Sequence, residues 1–314
     1  MDPELAAASV LIARPDIADP ASARAVTVSH REGEPSAEEE TAGRVTVADE
    51  SILASDGVTP LSIRIYTPVG NPRIRPGVVF FHGGAFILGD LESEHPRCLR
   101  YAADAGVVVV SVAYRLAPEF PYPAGPEDCY AAVQWVAKHA GRISVDPDRL
   151  AVAGSSAGGA LAAATALMSR DRGGPQLALQ MLIYPVLDDR MSTASMRAFS
   201  QTPVWDNRNN IEMWRQYIGA TWEPTETNVQ SYAAPGREMN LTGLPSAYIL
   251  SAELDPLRDE AISYALALLN AGVSVELHQV AGAYHGFDQH VADAAISRRA
   301  IDDQIHHLRR FLRI

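Results

Sequence analysis

The sequence predicts an α/β fold: one mostly parallel sheet of eight strands, flanked by helices on both faces. Three observations carry that expectation. Short β-rich runs alternate with longer helical patterns along the chain, the order expected of strand–helix–strand crossovers. Four of those runs are almost continuously apolar, as strands covered on both faces must be. The 314 residues, 47% apolar and 20% charged, suffice for one large core with a modest insertion.

Taken in order, residues 44–48 and 60–67 alternate apolar and polar side chains and read as half-exposed edge strands. The buried runs are GVVFFH ending at His82, GVVVVSVA at 106–113, RLAVAG ending at Gly154 and LALQMLIY at 177–184. AYILSA from Ala247 and VSVELHQV at 273–280 complete the eight. Between them, residues 127–140 place apolar side chains at three- and four-residue spacing, and 157–170 are small and apolar on most sides, as a helix pressed against a sheet would be. A helix over 259–272 stops at Asn270-Ala271-Gly272. The last, from about Ala292 to Phe311, carries Arg298, Arg299, Arg309 and Arg310 on its solvent side. Two stretches break this rhythm: residues 1–43, with the acidic run Glu38-Glu39-Glu40, and residues 189–238, which hold Trp205, Trp214 and Trp222. They are expected to form a helical cap over a core made of 44–188 and 239–314, with the aromatic insertion as a lid over a pocket.

Composition excludes several classes of function. The net charge of −12, with no clustered basic stripe, repels phosphate backbones, so no nucleic-acid partner is expected. No apolar run approaches the roughly 18 to 20 residues that span a bilayer, and the N-terminal stretch lacks the basic region of a signal peptide. A cytoplasmic protein without membrane insertion is expected. Cys98 and Cys129 have neither metal nor disulfide-framework spacing and read as buried apolar fillers. Asp302 and His306 share a helix face, but two ligands do not make a metal site, so neither metal nor cofactor is expected.

The chemistry starts at Gly154-Ser155-Ser156-Ala157-Gly158. This G-x-S-x-G pattern is weak alone, but here it ends an apolar strand and opens a helix, the setting a nucleophile elbow requires. Ser156 is the candidate nucleophile, with Ser155 beside it. A serine hydroxyl needs a base within reach, and on such elbows the chain order is serine, acid, histidine. His285 follows the last strand in the loop AGAYHGF, where sites collect beyond the carboxyl ends of parallel strands. His30, His95, His139, His306 and His307 read as surface residues. Asp255, pinned by Pro256 after the preceding strand, is the candidate acid, and Asp259 is the runner-up. His82-Gly83-Gly84-Ala85 closes a buried strand before the elbow. The backbone N–H groups of Gly83, Gly84 and Ala157 are the candidate oxyanion donors. Ser155, Phe86, Trp205 and Trp214 are candidate substrate contacts.

The motifs HGGAF (82–86), YRLAPE (114–119), GSSAGG (154–159), YPVLDDR (184–190), DPLRDE (255–260) and YHGF (284–287) occur in an order that resembles the bacterial hormone-sensitive-lipase-type esterases, from about residue 45 to the C-terminus. The resemblance implies an α/β-hydrolase core with a helical cap and carboxylester hydrolysis without a cofactor. It also implies short or medium acyl chains, frequent homodimers along the last strand and helix, and catalytic roles for Ser156, Asp255 and His285. Two positions depart from the family pattern: Ala85 stands where a third glycine is usual, and Ser155 where Asp or Thr is usual. Within YRLAPE, Tyr114, Arg115 and Glu119 read as architectural. An amidase or acyltransferase would use the same triad, whereas a non-catalytic binder on this fold would be expected to lack His285.

Overall fold

The computed structural model describes residues 1–12, 16–29, 41–70, 74–225 and 227–314. Within them lie eight strands, one for each run identified above: β1 (Val45–Leu53), β2 (Pro60–Pro68), β3 (Arg75–Phe81), β4 (Val108–Val112), β5 (Val145–Ser155), β6 (Leu179–Ile183), β7 (Ser246–Ala252) and β8 (Val275–Val280). They form a single sheet in the order β1-β2-β4-β3-β5-β6-β7-β8. β1 pairs with β2, and β2 with β4, antiparallel; every other pairing is parallel. The β1–β2 hairpin is turned by Asp56, whose carboxylate accepts from the N–H groups of Val58 and Thr59 and from the Thr59 hydroxyl.

The helices are α1 (Pro3–Ser9), α2 (Pro20–Ser29), α3 (His95–Arg100), α4 (Ala124–Lys138), α5 (Ala157–Asp171), α6 (Ala194–Ala198), α7 (Asn207–Ile218), α8 (Arg258–Asn270), α9 (Phe287–His290) and α10 (Ala295–Phe311). The strand period divides the core into two layers. Val79 and Phe81 of β3 point to the layer built with α4, α5 and α8, whereas Val78 and Phe80 point to the layer built with α3 and α10. Helix α3 continues through a π turn (Tyr101–Ala105) that ends at Gly106, φ 76°. That left-handed end is why β4 begins at Val108 and not at 106 as its apolar run suggests. On α10, Ile296, Ala300, Ile301, Ile305 and Leu308 face the sheet, and the four arginines face solvent. Among the described residues no helix is long and apolar enough to cross a membrane.

The described residues before Thr41 divide between two places. Helix α1 buries Leu5 in the α10 layer, with Asp2 N donating to Gly282 O at 2.9 Å and Ala295 N donating to Glu4 Oε2 at 2.6 Å. Ile17 and Ala23 join the opposite layer, where Gln216 of α7 donates to Ile17 O at 2.5 Å and Arg24 bonds Ile87 O, Ala117 O and Glu119. Among the described residues, this second part meets the 189–238 insertion through Gln216. The Glu38–Glu40 run and His30 lie outside the described residues. His307, expected on the surface, is buried against Tyr248, and His95 and His139 are half-buried with hydrogen-bond partners in Tyr66 and Trp135 O.

Candidate active site

Strand β5 enters helix α5 through Ser156, whose φ of 56° and ψ of −117° L-residues rarely adopt. The close approach of strand end and helix start requires glycine. A Cβ on Gly154 would sit 2.2 Å from Gly158 O, and one on Gly158 would sit 1.9 Å from Phe81 O. Ser156 N donates to Ile183 O at 2.8 Å and its carbonyl accepts from Val186 N at 3.1 Å, so the turn is held to β6 and its continuation.

The tertiary fold brings Ser156, His285 and Asp255 together. His285 Nε2 lies 2.9 Å from Ser156 Oγ, and His285 Nδ1 lies 2.7 Å from Asp255 Oδ2. The other Asp255 oxygen accepts from Leu257 N at 2.9 Å. A carboxylate on Nδ1 fixes the ring proton there and leaves the Nε2 lone pair facing the hydroxyl. Asp255 is fully buried, while His285 is 5% and Ser156 8% exposed, so the pair lies under cover, not at an open rim. The runner-up acid is committed elsewhere: Asp259 accepts from Ser195 N at 2.7 Å and from Arg258. Ser195 also donates through its hydroxyl to Pro256 O, so α6 of the insertion is anchored on the loop that carries Asp255.

Gly83 sits against the elbow, since a Cβ there would meet Ser155 Oγ at 3.0 Å and Ser156 Cβ at 3.5 Å. Among the described residues, the N–H groups of Gly83, Gly84 and Ala157 take part in no turn or loop hydrogen bond. As the first residue of α5, Ala157 has no carbonyl one turn back within its helix. Gly84 has φ 116°, and Ala85 and Phe86 hold φ of 58° and 61°, a run of left-handed backbone that turns the loop beside Ser156. Tyr114 stacks on His82 with centroids 4.3 Å apart and donates to His82 O, bracing the start of the loop. Arg115 pairs with Asp128 and Asp56, and Glu119 with Arg24, which are architectural placements.

The expected substrate contacts separate. Trp205 has its ring 6.1 Å from that of His285 and is the one of the four placed against the triad. Phe86 stacks on Tyr217 at 3.8 Å, and fully buried Trp214 packs between Phe86 and Trp222. Trp214 lies in the interior of the insertion, and Phe86, from the loop after β3, packs onto it. Ser155 also turns inward. It is 1% exposed, and its hydroxyl donates to Glu94 Oε1 behind the elbow.

That bond opens onto a buried network not foreseen from sequence. Glu94 Oε2 accepts from Arg97 Nε at 2.8 Å, and Arg97 also reaches Asp288 at 3.1 Å and Gln304 at 2.8 Å. Tyr184 donates to Asp288 Oδ1 at 2.8 Å and lays its ring edge-on to His285 at 4.9 Å. The network thus runs from Ser155, beside Ser156, to Tyr184, beside His285. Burial alone would lower the Arg97 guanidinium, but Asp288 and Glu94 beside it hold its pKa well above the ordinary value. A Glu and an Arg three apart at a helix start were visible in the sequence, but that spacing normally marks an exposed pair.

A strained serine elbow, a buried carboxylate–histidine pair and a glycine loop on a mostly parallel sheet define the α/β-hydrolase class. A family model described as alpha/beta hydrolase fold matches residues 78–289. Among curated proteins, Esterase LipI of Mycobacterium tuberculosis is 44% identical over 238 residues, 75% of this chain and 73% of its own. Carboxylesterase NlhH of the same species is 41% identical over 242 residues, covering 76% of this chain and 75% of its own. Among solved structures, a bacterial heroin esterase superposes with a TM-score of 0.95 at 42% identity, covering 100% of this chain and 98% of its own. The chain belongs to the hormone-sensitive-lipase-type esterase family of the α/β-hydrolases.

Proposed function

We propose that the protein is a serine carboxylesterase acting on short- to medium-chain esters. The observation that carries this reading is the continuous chain Ser156 Oγ–His285 Nε2 and His285 Nδ1–Asp255 Oδ2, at 2.9 and 2.7 Å. Ser156 Oγ attacks the ester carbonyl as its proton passes to His285 Nε2, and Asp255 stabilises the imidazolium. The carbonyl oxygen gathers negative charge and is met by the N–H groups of Gly83, Gly84 and Ala157. The C–O bond to the alcohol then breaks, and the alcohol leaves with the proton from His285. Water enters, gives its proton to His285 and attacks the acyl-enzyme; the acid departs as Ser156 recovers its proton. Each transferred proton has a named side chain to hold it.

Helices α6 and α7, with the Ile17–Arg24 segment, form the cap in this reading, and Trp205 faces the reacting centre from it. Among the described residues β8 pairs with β7 and ends the sheet, and an edge strand there supports a homodimer. Buried free Cys98 and Cys129 suit a reducing compartment, which supports a cytoplasmic location. The test is initial hydrolysis rates on p-nitrophenyl esters from acetyl to palmitoyl, comparing wild type with Ser156→Ala. A short-chain optimum that falls by about 10⁴-fold or more in the variant is expected. Equal rates from both proteins would overturn the assignment.

A further inference from the structure

The end of the sheet at β8 carries a second cluster of chemically competent side chains. Glu276 and His278 lie two apart on one face of β8, and His307 of α10 stands above them. The His278 and His307 rings are 4.9 Å apart, and both lie about 5 Å from Tyr248 of β7, at 5.0 and 5.1 Å. The donor atoms offered by Glu276, His278 and His307 fall within 4.8 Å of one another.

The orientation of the groups is more telling than their proximity. Glu276 Oε1 is engaged by Arg310, whereas Oε2 faces His278 Nε2 at 4.0 Å. The other nitrogen of that ring, Nδ1, faces Asp303 Oδ2 at 3.8 Å. That distance is longer than a hydrogen bond, and a small rotation of Asp303 brings it behind the ring, the usual outer arrangement of a metal-bound imidazole. His307 is 7% exposed, and among the described residues its Nδ1 has no hydrogen-bond partner.

We propose that Glu276, His278 and His307 bind a borderline divalent cation of the Zn²⁺ class, with Asp303 orienting His278 and water completing the shell. Two imidazoles and one carboxylate suit Zn²⁺ over Mg²⁺ or Ca²⁺, which take oxygen ligands. Bonds of about 2.0–2.1 Å place tetrahedral ligand atoms about 3.4 Å apart, so side-chain rotation of about an ångström closes the site. The site is separate from Ser156, Asp255 and His285 and clips the C-terminal helix to the sheet's terminal strand.

The experiment is calorimetric titration of untagged, chelator-stripped protein with Zn²⁺ at pH 7.5, with the visible absorbance of the Co²⁺ form as a second readout. One ion per chain is expected, together with a rise in melting temperature. Asp303→Asn should weaken binding by about 10- to 100-fold, and His278→Ala by more, with loss of the tetrahedral Co²⁺ bands. His306→Ala, at the exposed neighbouring histidine, should bind as wild type does. His278 is half-buried, so its variant is expected to fold even if one at His307 is not. Absence of stoichiometric binding in the wild type, or binding left undiminished by His278→Ala, overturns the proposal.

Discussion

Replacing Arg97 with Met removes the one guanidinium that serves Glu94 and Asp288, both almost fully buried, and keeps a side chain of similar length. The variant loses bonds of 2.8 Å to Glu94, 3.1 Å to Asp288 and 2.8 Å to Gln304. Removing one partner of a buried ion pair costs about 3–5 kcal/mol, because the remaining charge is left in a poor solvent. Unfolding entropy of about 2.1 cal/mol/K per residue, over this chain, converts that cost into a fall in Tm of about 5–8 °C. Thermal unfolding of both proteins at pH 7.5, followed by circular dichroism, reads this out directly. A deficit below about 1 kcal/mol would refute the picture of a buried charged network behind the elbow.

Glu260, buried with Leu187 N donating to Oε1 at 2.7 Å, has its carboxyl raised well above the ordinary 4.5, first by burial and further by Asp188 and Asp255. Its folded pKa exceeds its unfolded one, so it contributes a penalty that grows as pH rises above about 4.5. Glu260→Gln should therefore raise Tm relative to wild type more at pH 8 than at pH 5, and parallel curves would contradict this. Gly83→Ala puts a methyl 3.0 Å from Ser155 Oγ and 3.2 Å from its carbonyl oxygen. Steady-state kinetics should show kcat down by about 10- to 100-fold with the fold retained, because the donors beside Ser156 move. Cys98 and Cys129 are buried, with burial as the first cause pushing both thiols upward. A thiol reagent should label neither in the native protein and both after denaturation, and native labelling accompanied by loss of activity would show the core to be more open than described.

Strands β3 to β6 were legible as continuous apolar runs because two-sided burial leaves a strong composition signal, and β1 and β2 were legible through their alternation. The elbow was legible for a similar reason: Gly154 and Gly158 are demanded by backbone contacts at a fixed chain position. His285 and Asp255 were legible because a parallel sheet delivers the loop after each strand to the same edge. Polar networks leave no such pattern. Ser155 read as a pocket residue, yet its hydroxyl turns to Glu94, and Phe86 and Trp214 turn inward to pack with Tyr217 and Trp222. Arg97, Asp288 and Gln304, far apart in the chain, carry no shared periodicity that announces their meeting.

The sequence by itself therefore determined the sheet, the elbow and the loops that carry Asp255 and His285, since each follows from local sterics or from burial that repeats with the strand period. Only the tertiary structure decided which polar groups meet: Glu94 with Arg97 and Asp288, Asp259 with Ser195, and His278 with His307. Those pairings depend on how separate elements approach one another, and a single side chain is indifferent along the sequence to the partner that folding brings to it.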